Sequence, residues 1–261
     1  MNELLNLILN VISVLFLFDI FLFLLSAKLK RQDIADVFWG IKFIIIALSF
    51  WLLAPGKTVS GTLVLFLVTL WGLRLFFHIG SRWLKKNEDK RYLDLSKNWG
   101  KFFYLRSFLQ TFLFQSFLAL AISIPVISLI FSSGQINNYL LFSGLSIWLF
   151  SLIIESVSDF QLSRFLKNPK NKGKVMDRGL WKYSRHPNYF GEVLLWWGIY
   201  IISLNDIERW WFLIIGPLTI SFLILFVSGI PMAEKHYKNN KKYQEYAKIT
   251  SAFFLLPNKK N

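Results

Sequence analysis

Long apolar runs separated by short polar loops are the main pattern along this chain. A helix needs roughly 20 mostly apolar residues to cross a bilayer, and seven such runs occur. The predicted spans cover residues 3–25, 36–54, 59–79, 107–131, 139–162, 189–205 and 209–230. The sixth run is short and begins within a polar motif, so six or eight spans also fit the pattern. The sequence therefore predicts an all-α, polytopic membrane protein of about seven transmembrane helices.

The composition agrees with a lipid environment. The 261 residues are 54% hydrophobic with a mean hydropathy of +0.45, which is more apolar than is usual for a soluble domain of this size. The chain has no cysteine, which excludes disulfides and cysteine-based metal sites. We expect a single integral membrane domain over residues 1–261. No cleaved signal peptide is expected, because no basic region precedes the first span.

Basic residues are concentrated in alternate loops. The formal net charge is +15, and 26 of the 30 Lys and Arg residues lie after spans one, three and five or in the C-terminal tail. Lys and Arg near helix ends are retained on the cytoplasmic side, so we expect the N-terminus outside and the C-terminus in the cytoplasm. This clustering beside apolar spans argues against nucleic acid as a partner. The Lys-, Asn- and Ile-rich composition indicates a bacterial inner membrane.

The densest group of polar side chains lies between residues 174 and 192, immediately before the sixth span. It includes Arg178, Tyr183, Arg185, His186, Asn188, Tyr189 and Glu192. Guanidinium groups suit bidentate phosphate contacts, and tyrosine rings can flank a planar base. Anchoring at the membrane interface explains such Arg and Tyr residues equally well. The carboxylate of Glu192 favours a polar cavity, because a charge at the start of a span is costly unless it is paired or solvated.

Two smaller groups of polar residues lie within the predicted spans. Arg74 and His78 share one face of the third span, and Asp36 begins the second. Glu155 and Asp159 lie one turn apart near the end of the fifth span, where they pair with a neighbouring arginine or bind a ribose or adenine. Ionisable residues inside a membrane are functional candidates by default.

The sequence offers no credible metal site and no familiar nucleotide-binding loop. Its three histidines, His78, His186 and His236, fall on separate elements without the spacing of metal ligands. It has neither the glycine fingerprint of dinucleotide-binding α/β folds nor a P-loop. A bound nucleotide would therefore occupy a pocket built from membrane helices and their loops.

The segment GLWKYSRHPNYFGEVLLWWG, residues 179–198, resembles the C-terminal signature of the steroid 5-alpha-reductase superfamily, and more specifically of its bacterial, functionally unnamed branch. Further matching islands follow the same order along the chain, from DVFWG at residues 36–40 to residues 250–257. The resemblance implies a seven-helix fold that binds NADPH within residues 155–257. It also implies an oxidoreductase acting on CH–CH groups, which passes hydride to the activated C=C bond of a steroid-like or other lipid enone.

The resemblance also assigns site residues. The cofactor pocket would be lined by Glu155, Asp159, Arg178, Tyr183, Arg185, His186, Asn188, Tyr189 and Glu192, with Arg185 near a phosphate. The Gln–Glu pair and the Tyr that steroid reductases place at the substrate carbonyl are absent here. Asp36, Arg74 and His78 occupy those regions and are our candidates for polarising the acceptor or donating the proton. We expect a lipophilic small-molecule substrate and membrane lipid as partners, with no obligate protein partner.

Two other functions compete with this interpretation. The RHPNY core, residues 185–189, is similar to that of membrane methyltransferases of the isoprenylcysteine carboxyl type, which bind S-adenosylmethionine there and at a later pair of adjacent glutamates. Here Glu234 follows Ala233, so that pair is incomplete. Glu192 and the Trp197–Gly198 pair that follows it favour the reductase branch. A non-catalytic membrane lipid-binding protein is the third alternative, which the intact polar motif disfavours.

Overall fold

The computed structural model describes residues 2–85, 88, 92–93, 99–132, 137–205, 210–235 and 237–258, with backbone only for residues 2–4. These residues are mostly helical and contain no β-strand; their extended pairing is limited to a parallel bridge between Ser184 and Ser251. The all-α prediction is confirmed. Contacts divide the chain into two compact units, Met1–Gln135 and Ile136–Asn261. Such units are defined by packing and not by independent folding, so the expected single membrane domain stays a prediction.

The first unit is a helical assembly. Its α-helices are α1 (Asn2–Leu29), α2 (Ile34–Val37), α3 (Trp39–Leu53), α4 (Val59–Trp83), α5 (Phe103–Arg106), α6 (Phe114–Ile122) and α7 (Ile124–Phe131). A 3-10 turn at Gly100–Phe102 leads into α5, and a π-helical segment at Ser107–Leu113 joins α5 to α6. The side chain of Thr58 caps α4 by accepting a hydrogen bond from the Gly61 N–H at 3.0 Å. This bond satisfies an amide that has no partner within the helix.

A buried ion pair lies in the core of the first unit. Lys42 of α3 donates from Nζ to Asp19 Oδ1 of α1 at 2.7 Å, and both side chains are fully buried. The same Nζ donates to the Phe112 carbonyl at 2.9 Å and to Ser116 Oγ at 3.0 Å. Buried charges persist only when paired and hydrogen-bonded. This cluster therefore ties α1 and α3 to the helical run at residues 100–122.

The second unit is dominated by two helices. Its α-helices are α8 (Asn138–Lys167), α9 (Pro187–Ser203), α10 (Trp210–Leu213), α11 (Ile215–Phe222), α12 (Ile230–Lys235) and α13 (Lys241–Ile249). Short 3-10 turns at Pro169–Asn171 and Gly179–Lys182 lie in the connection between α8 and α9, and a π-helical segment at Leu223–Val227 follows α11. Pro187 occupies the first position of α9, where its missing N–H costs nothing.

Helices α8 and α9 pack with their backbones almost in contact. A Cβ added at Gly144 would lie 2.7 Å from the Gly198 carbonyl oxygen. A Cβ added at Gly191 would lie 2.8 Å from both the Glu155 nitrogen and the Ser151 carbonyl oxygen. Such close approach is possible only where a glycine lacks its side chain. The glycines thus hold the polar start of α9 directly against the end of α8.

The membrane character of the chain is clear from helix length and composition. Among the described residues, five helical runs are long and apolar enough to cross a membrane: Leu5–Leu29, Val59–Trp83, Gly100–Ile122, Asn138–Lys167 and Trp210–Lys235. The other two predicted spans correspond to the 15-residue α3 and the 17-residue α9. A polytopic membrane protein is confirmed, and the count of seven spans stays a prediction.

Candidate functional site

The segment before α9 is fastened to α8 by side chain to backbone hydrogen bonds. Gly179 has a φ of +60°, a conformation that favours glycine, and a Cβ there would lie 2.5 Å from Gln161 Oε1. The Leu180 N–H donates to that oxygen at 3.0 Å. The indole N–H of Trp181 donates to the Ser158 carbonyl at 3.0 Å. These bonds fix the backbone of the polar motif on the last turns of α8.

The C-terminal tail runs alongside the same motif. The Arg185 N–H donates to the Ser251 carbonyl at 2.8 Å, and Ser184 Oγ donates to the Phe253 carbonyl at 2.8 Å. The Leu256 N–H donates to the Tyr183 carbonyl at 3.1 Å. The Tyr246 hydroxyl of α13 donates to the Trp181 carbonyl. The motif is therefore held on one side by α8 and on another by the tail.

Glu234 of α12 is the centre of a charged cluster, called here the Glu234 cluster and formed with Arg185, His186 and Tyr243. Arg185 donates to both carboxylate oxygens, from Nε at 2.8 Å and from Nη2 at 3.2 Å. His186 Nε2 and the Tyr243 hydroxyl lie 3.0 Å and 3.1 Å from Glu234 Oε1. Bidentate guanidinium–carboxylate pairs combine strength with a fixed geometry. The cluster thus joins the start of α9 to α12 and α13.

Tyr243 and Arg185 act as hydrogen-bond donors within this cluster. Burial, reinforced by the negative charge of Glu234, raises the pKa of the Tyr243 phenol above its ordinary value, so Tyr243 remains a hydrogen-bond donor. Arg185 also donates from Nη1 to the Ala247 and Thr250 carbonyls at 3.1 Å and 2.7 Å. Nε and both Nη groups of Arg185 are therefore engaged within the protein, which leaves little donor capacity for a ligand. Its expected contact with a phosphate stays a prediction, and a positioning role is the better supported one.

Asn188 and Asp159 form a second polar pair between α9 and α8. Asn188 Nδ2 donates to Asp159 Oδ1 at 3.2 Å, and the Asp159 residue is 4% exposed. The other amide atom, Asn188 Oδ1, is buried, and no donor for it exists among the described residues. The pair thus presents a buried acceptor that is suited to a ligand N–H or O–H group.

The remaining candidates on α8 and α9 surround these two groups. Glu155 is buried beside Gly191, and Glu192 is half-buried in the first turns of α9. The Tyr189 ring stacks on the His186 ring, with 5.3 Å between centroids and 11° between planes. Tyr183 is exposed. The structure therefore brings most of the predicted cofactor residues to the junction of α8 and α9.

Arg178 lies apart from the buried pair, in an open cleft of about 840 Å³ that we call the basic cleft. The side chain of Arg178 is 81% exposed. The cleft is lined by Phe165, Lys174, Val175, Asp177, Arg178, Lys182, Lys242, Glu245, Tyr246, Lys248, Ile249 and Asn258. The role of Arg178 as a cofactor residue stays a prediction.

The three predicted catalytic residues belong to the first unit. Asp36 lies in α2 and accepts a hydrogen bond from the Tyr92 hydroxyl at 2.7 Å. Arg74 and His78 are half-buried, one turn apart, on α4. Helix α2 packs against α4, so the structure gathers these elements within one unit. Their catalytic roles stay predictions.

Several important contacts were not foreseen from the sequence. The pairing of Glu155 or Asp159 with an arginine stays a prediction; the described hydrogen bonds join Asp159 to Asn188 and Arg185 to Glu234. Glu234 is 49 residues away from Arg185 in sequence, and no local spacing connects the two. His236, one of the three histidines of the chain, lies outside the described residues. The described residues contain no group of three potential metal ligands.

Comparison with known proteins shows distant similarity to steroid-metabolising enzymes. Over 122 residues the chain is 30% identical to the Bos taurus protein named 3-oxo-5-alpha-steroid 4-dehydrogenase 1, covering 46% of this chain and 43% of that protein. Proteins of the same name from Macaca fascicularis and Homo sapiens are 31% identical over 116 residues and 32% identical over 108 residues. These matches cover 44% and 41% of this chain and 39% and 38% of those proteins. The chain thus spans less than half the length of these relatives. No solved structure matches it.

A family model covers far more of the chain. The model, described as "Protein of unknown function (DUF1295)", matches residues 22–250, which cover most of both units and include every predicted site residue. Together with the steroid dehydrogenase matches, it confirms the resemblance seen in the RHPNY segment. The chain belongs to the DUF1295 family, a steroid 5-alpha-reductase-like family of membrane proteins.

Proposed function

We propose that this protein is an NADPH-dependent membrane reductase that transfers hydride to an activated C=C bond of a lipophilic enone. The name of its relatives describes a dehydrogenase acting at position 4 of a 3-oxo steroid. A double bond formed there is conjugated with the ketone, and reduction is the same reaction in reverse. The proposal adds NADPH as the hydride source and a steroid-like or other lipid enone as the acceptor.

The observation that carries the proposal is the buried acceptor Asn188 Oδ1. A buried polar atom without a partner costs on the order of 1–3 kcal/mol, a cost that a ligand donor at this position removes. The carboxamide and ribose hydroxyls of a pyridine dinucleotide carry such donors. Asp159 beside it and Glu155 one turn away add acceptors on the same helix. These three acceptors support binding of the carboxamide or ribose hydroxyls of a dinucleotide at the α8–α9 junction.

The roles of the surrounding residues follow from their contacts. Asn188 and Asp159 would bind the cofactor, which supplies a hydride when bound. The Glu234 cluster would not contact the cofactor and would act indirectly, because its hydrogen bonds hold the start of α9 in place. Close packing at Gly191 would exclude water from the α8–α9 junction, and low local polarity strengthens hydrogen bonds there. Asp36, Arg74 and His78 remain the candidates for polarising the acceptor or donating the proton that completes the reduction.

Membrane placement forms part of the same proposal. The basic loops after the first, third and fifth predicted spans would face the cytoplasm, where NADPH is available. A substrate dissolved in the bilayer would reach the helices directly. We infer a bacterial inner membrane location with the N-terminus outside and the C-terminus in the cytoplasm.

Thermal unfolding of the purified protein tests the proposal. A ligand at one hundred times its Kd stabilises the folded state by about 2.7 kcal/mol, equivalent to a rise in Tm of roughly 5–10 °C for a protein of this size. We expect NADPH to produce such a rise and S-adenosylmethionine at equal concentration to produce none. Stabilisation by S-adenosylmethionine alone would establish the methyltransferase alternative instead. No response to either ligand would favour the non-catalytic lipid-binding alternative.

A further inference from the structure

Apart from Arg178, the residues that line the basic cleft of the second unit have no assigned role in the proposed reduction. One wall comes from α13 and contributes Lys242 and Lys248, while the connection between α8 and α9 contributes Lys174, Arg178 and Lys182. These five cations face two carboxylates, Asp177 and Glu245. The excess of positive charge indicates an anionic ligand.

The cations of the cleft remain available for binding. In the described part of the chain, the cleft contains a single ion pair, Arg178 with Asp177, with 3.9 Å between Nε and Oδ1 and both side chains largely exposed. The Lys182 Nζ atom lies 6.0 Å from the centroid of the Tyr183 ring, which is a weak cation–π contact. An incoming anion would therefore displace little existing interaction.

The cleft also carries apolar side chains and a buried acceptor. Phe165, Val175 and Ile249 are half-buried in its lining. Asn258 Oδ1, also in the lining, is buried without a donor among the described residues. Phe165 stands near the end of the membrane-spanning helix α8, which ends at Lys167. The cleft therefore combines phosphate-binding cations, a site for a hydroxyl donor and apolar contacts at a helix end.

We propose that the basic cleft binds the headgroup of an anionic phospholipid that carries hydroxyl groups, such as phosphatidylglycerol. Basic pockets beside the ends of membrane helices bind acidic lipid headgroups, and each Lys or Arg contributes about a fivefold increase in affinity. The phosphodiester would lie among Lys174, Lys242 and Lys248, and a headgroup hydroxyl would donate to Asn258 Oδ1. The apolar side chains would contact the start of the acyl chains.

Binding of a tail-labelled phosphatidylglycerol to the detergent-solubilised protein, followed by fluorescence anisotropy, tests this proposal. The double variant Lys242→Gln with Lys248→Gln should bind the labelled lipid on the order of 20-fold more weakly. The matched control is Lys170→Gln with Lys172→Gln, which removes the same charge from exposed residues outside the cleft lining. The control should remain within twofold of the unmodified protein.

Competition identifies the source of the bound phosphate. Unlabelled phosphatidylglycerol should displace the probe, whereas phosphatidylcholine, inorganic phosphate and NADPH at equal concentration should not. Equal weakening in both double variants would overturn the proposal in favour of diffuse surface charge. Displacement by NADPH would overturn it by assigning the cleft to the dinucleotide. Equal weakening in both double variants would leave thermal stabilisation by NADPH unaffected. Displacement by NADPH would keep the reductase proposal and move the dinucleotide from Asn188 to the cleft, so the two proposals fail separately.

Discussion

At the scale of single residues, Glu234 determines how the polar motif is held. Its carboxylate accepts hydrogen bonds from two nitrogens of Arg185 and from the Tyr243 hydroxyl, and it lies within 3.0 Å of His186 Nε2. The Arg185 side chain is only 12% exposed, so its charge depends on this partner. Removing one side of such a pair leaves the other charge in a poorly solvated place.

We therefore expect Glu234→Gln to destabilise the protein. The amide keeps one acceptor but turns an N–H group toward the guanidinium, and a hydrogen bond to a charged group is worth about 2 kcal/mol. Tm should fall by roughly 4–8 °C, measured by tryptophan fluorescence during heating. Glu245→Gln, which removes the same charge from an exposed position, should change Tm by about 2 °C or less. Equal shifts in the two variants would show that the cluster does not stabilise the fold.

At the scale of elements, the crossing of α8 and α9 positions the site. Gly198 faces Gly144 across the two helices, and Gly191 faces Ser151 and Glu155. Close helix approach of this kind relies on small residues at the interface. Because Asp159 lies on α8 and Asn188 on α9, the separation of the two helices controls the distance between these side chains.

Gly198→Ala should force the two helices apart. The added Cβ would lie 2.9 Å from the Gly144 carbonyl oxygen and 3.0 Å from the Trp148 nitrogen. Such overpacking costs about 1–3 kcal/mol, and the better helix propensity of alanine offsets only part of it. We expect a lower Tm by several degrees, roughly 2–6 °C. Gly56→Ala is the control, since no atom lies within 4 Å of its Cβ position. An unchanged Tm in Gly198→Ala would contradict the close crossing.

At the scale of the whole molecule, apolar run length predicted the helices well. Five predicted spans coincide with helices long enough to cross a membrane. The run at residues 107–131 is interrupted at Ser123, and the membrane-length helix there begins earlier, at Gly100. Pro125 near the start of the following helix explains the break, since its ring and missing N–H interrupt a continuous helix.

Pairings between distant residues could not be predicted in the same way. Asp19 binds Lys42 of a neighbouring helix, 23 residues away in sequence, and no local spacing connects the two. Arg185, Asn188 and Glu234 were all visible as polar residues, but only the packed chain shows that Arg185 binds Glu234 and that Asn188 retains an unfilled acceptor. The spacing of apolar residues along a helix indicates which face is buried. It does not indicate which helix packs against that face.

The central claim, that the α8–α9 junction binds a dinucleotide through Asn188, is tested most directly by isothermal titration of the purified protein with NADPH. Asn188→Ala should bind NADPH about tenfold more weakly, the equivalent of one buried hydrogen bond, with Tm close to that of the unmodified protein. Asn239→Ala, an exposed position in the turn before α13, should bind NADPH as the unmodified protein does. An unchanged Kd in Asn188→Ala, or no NADPH binding by the unmodified protein, would contradict the account.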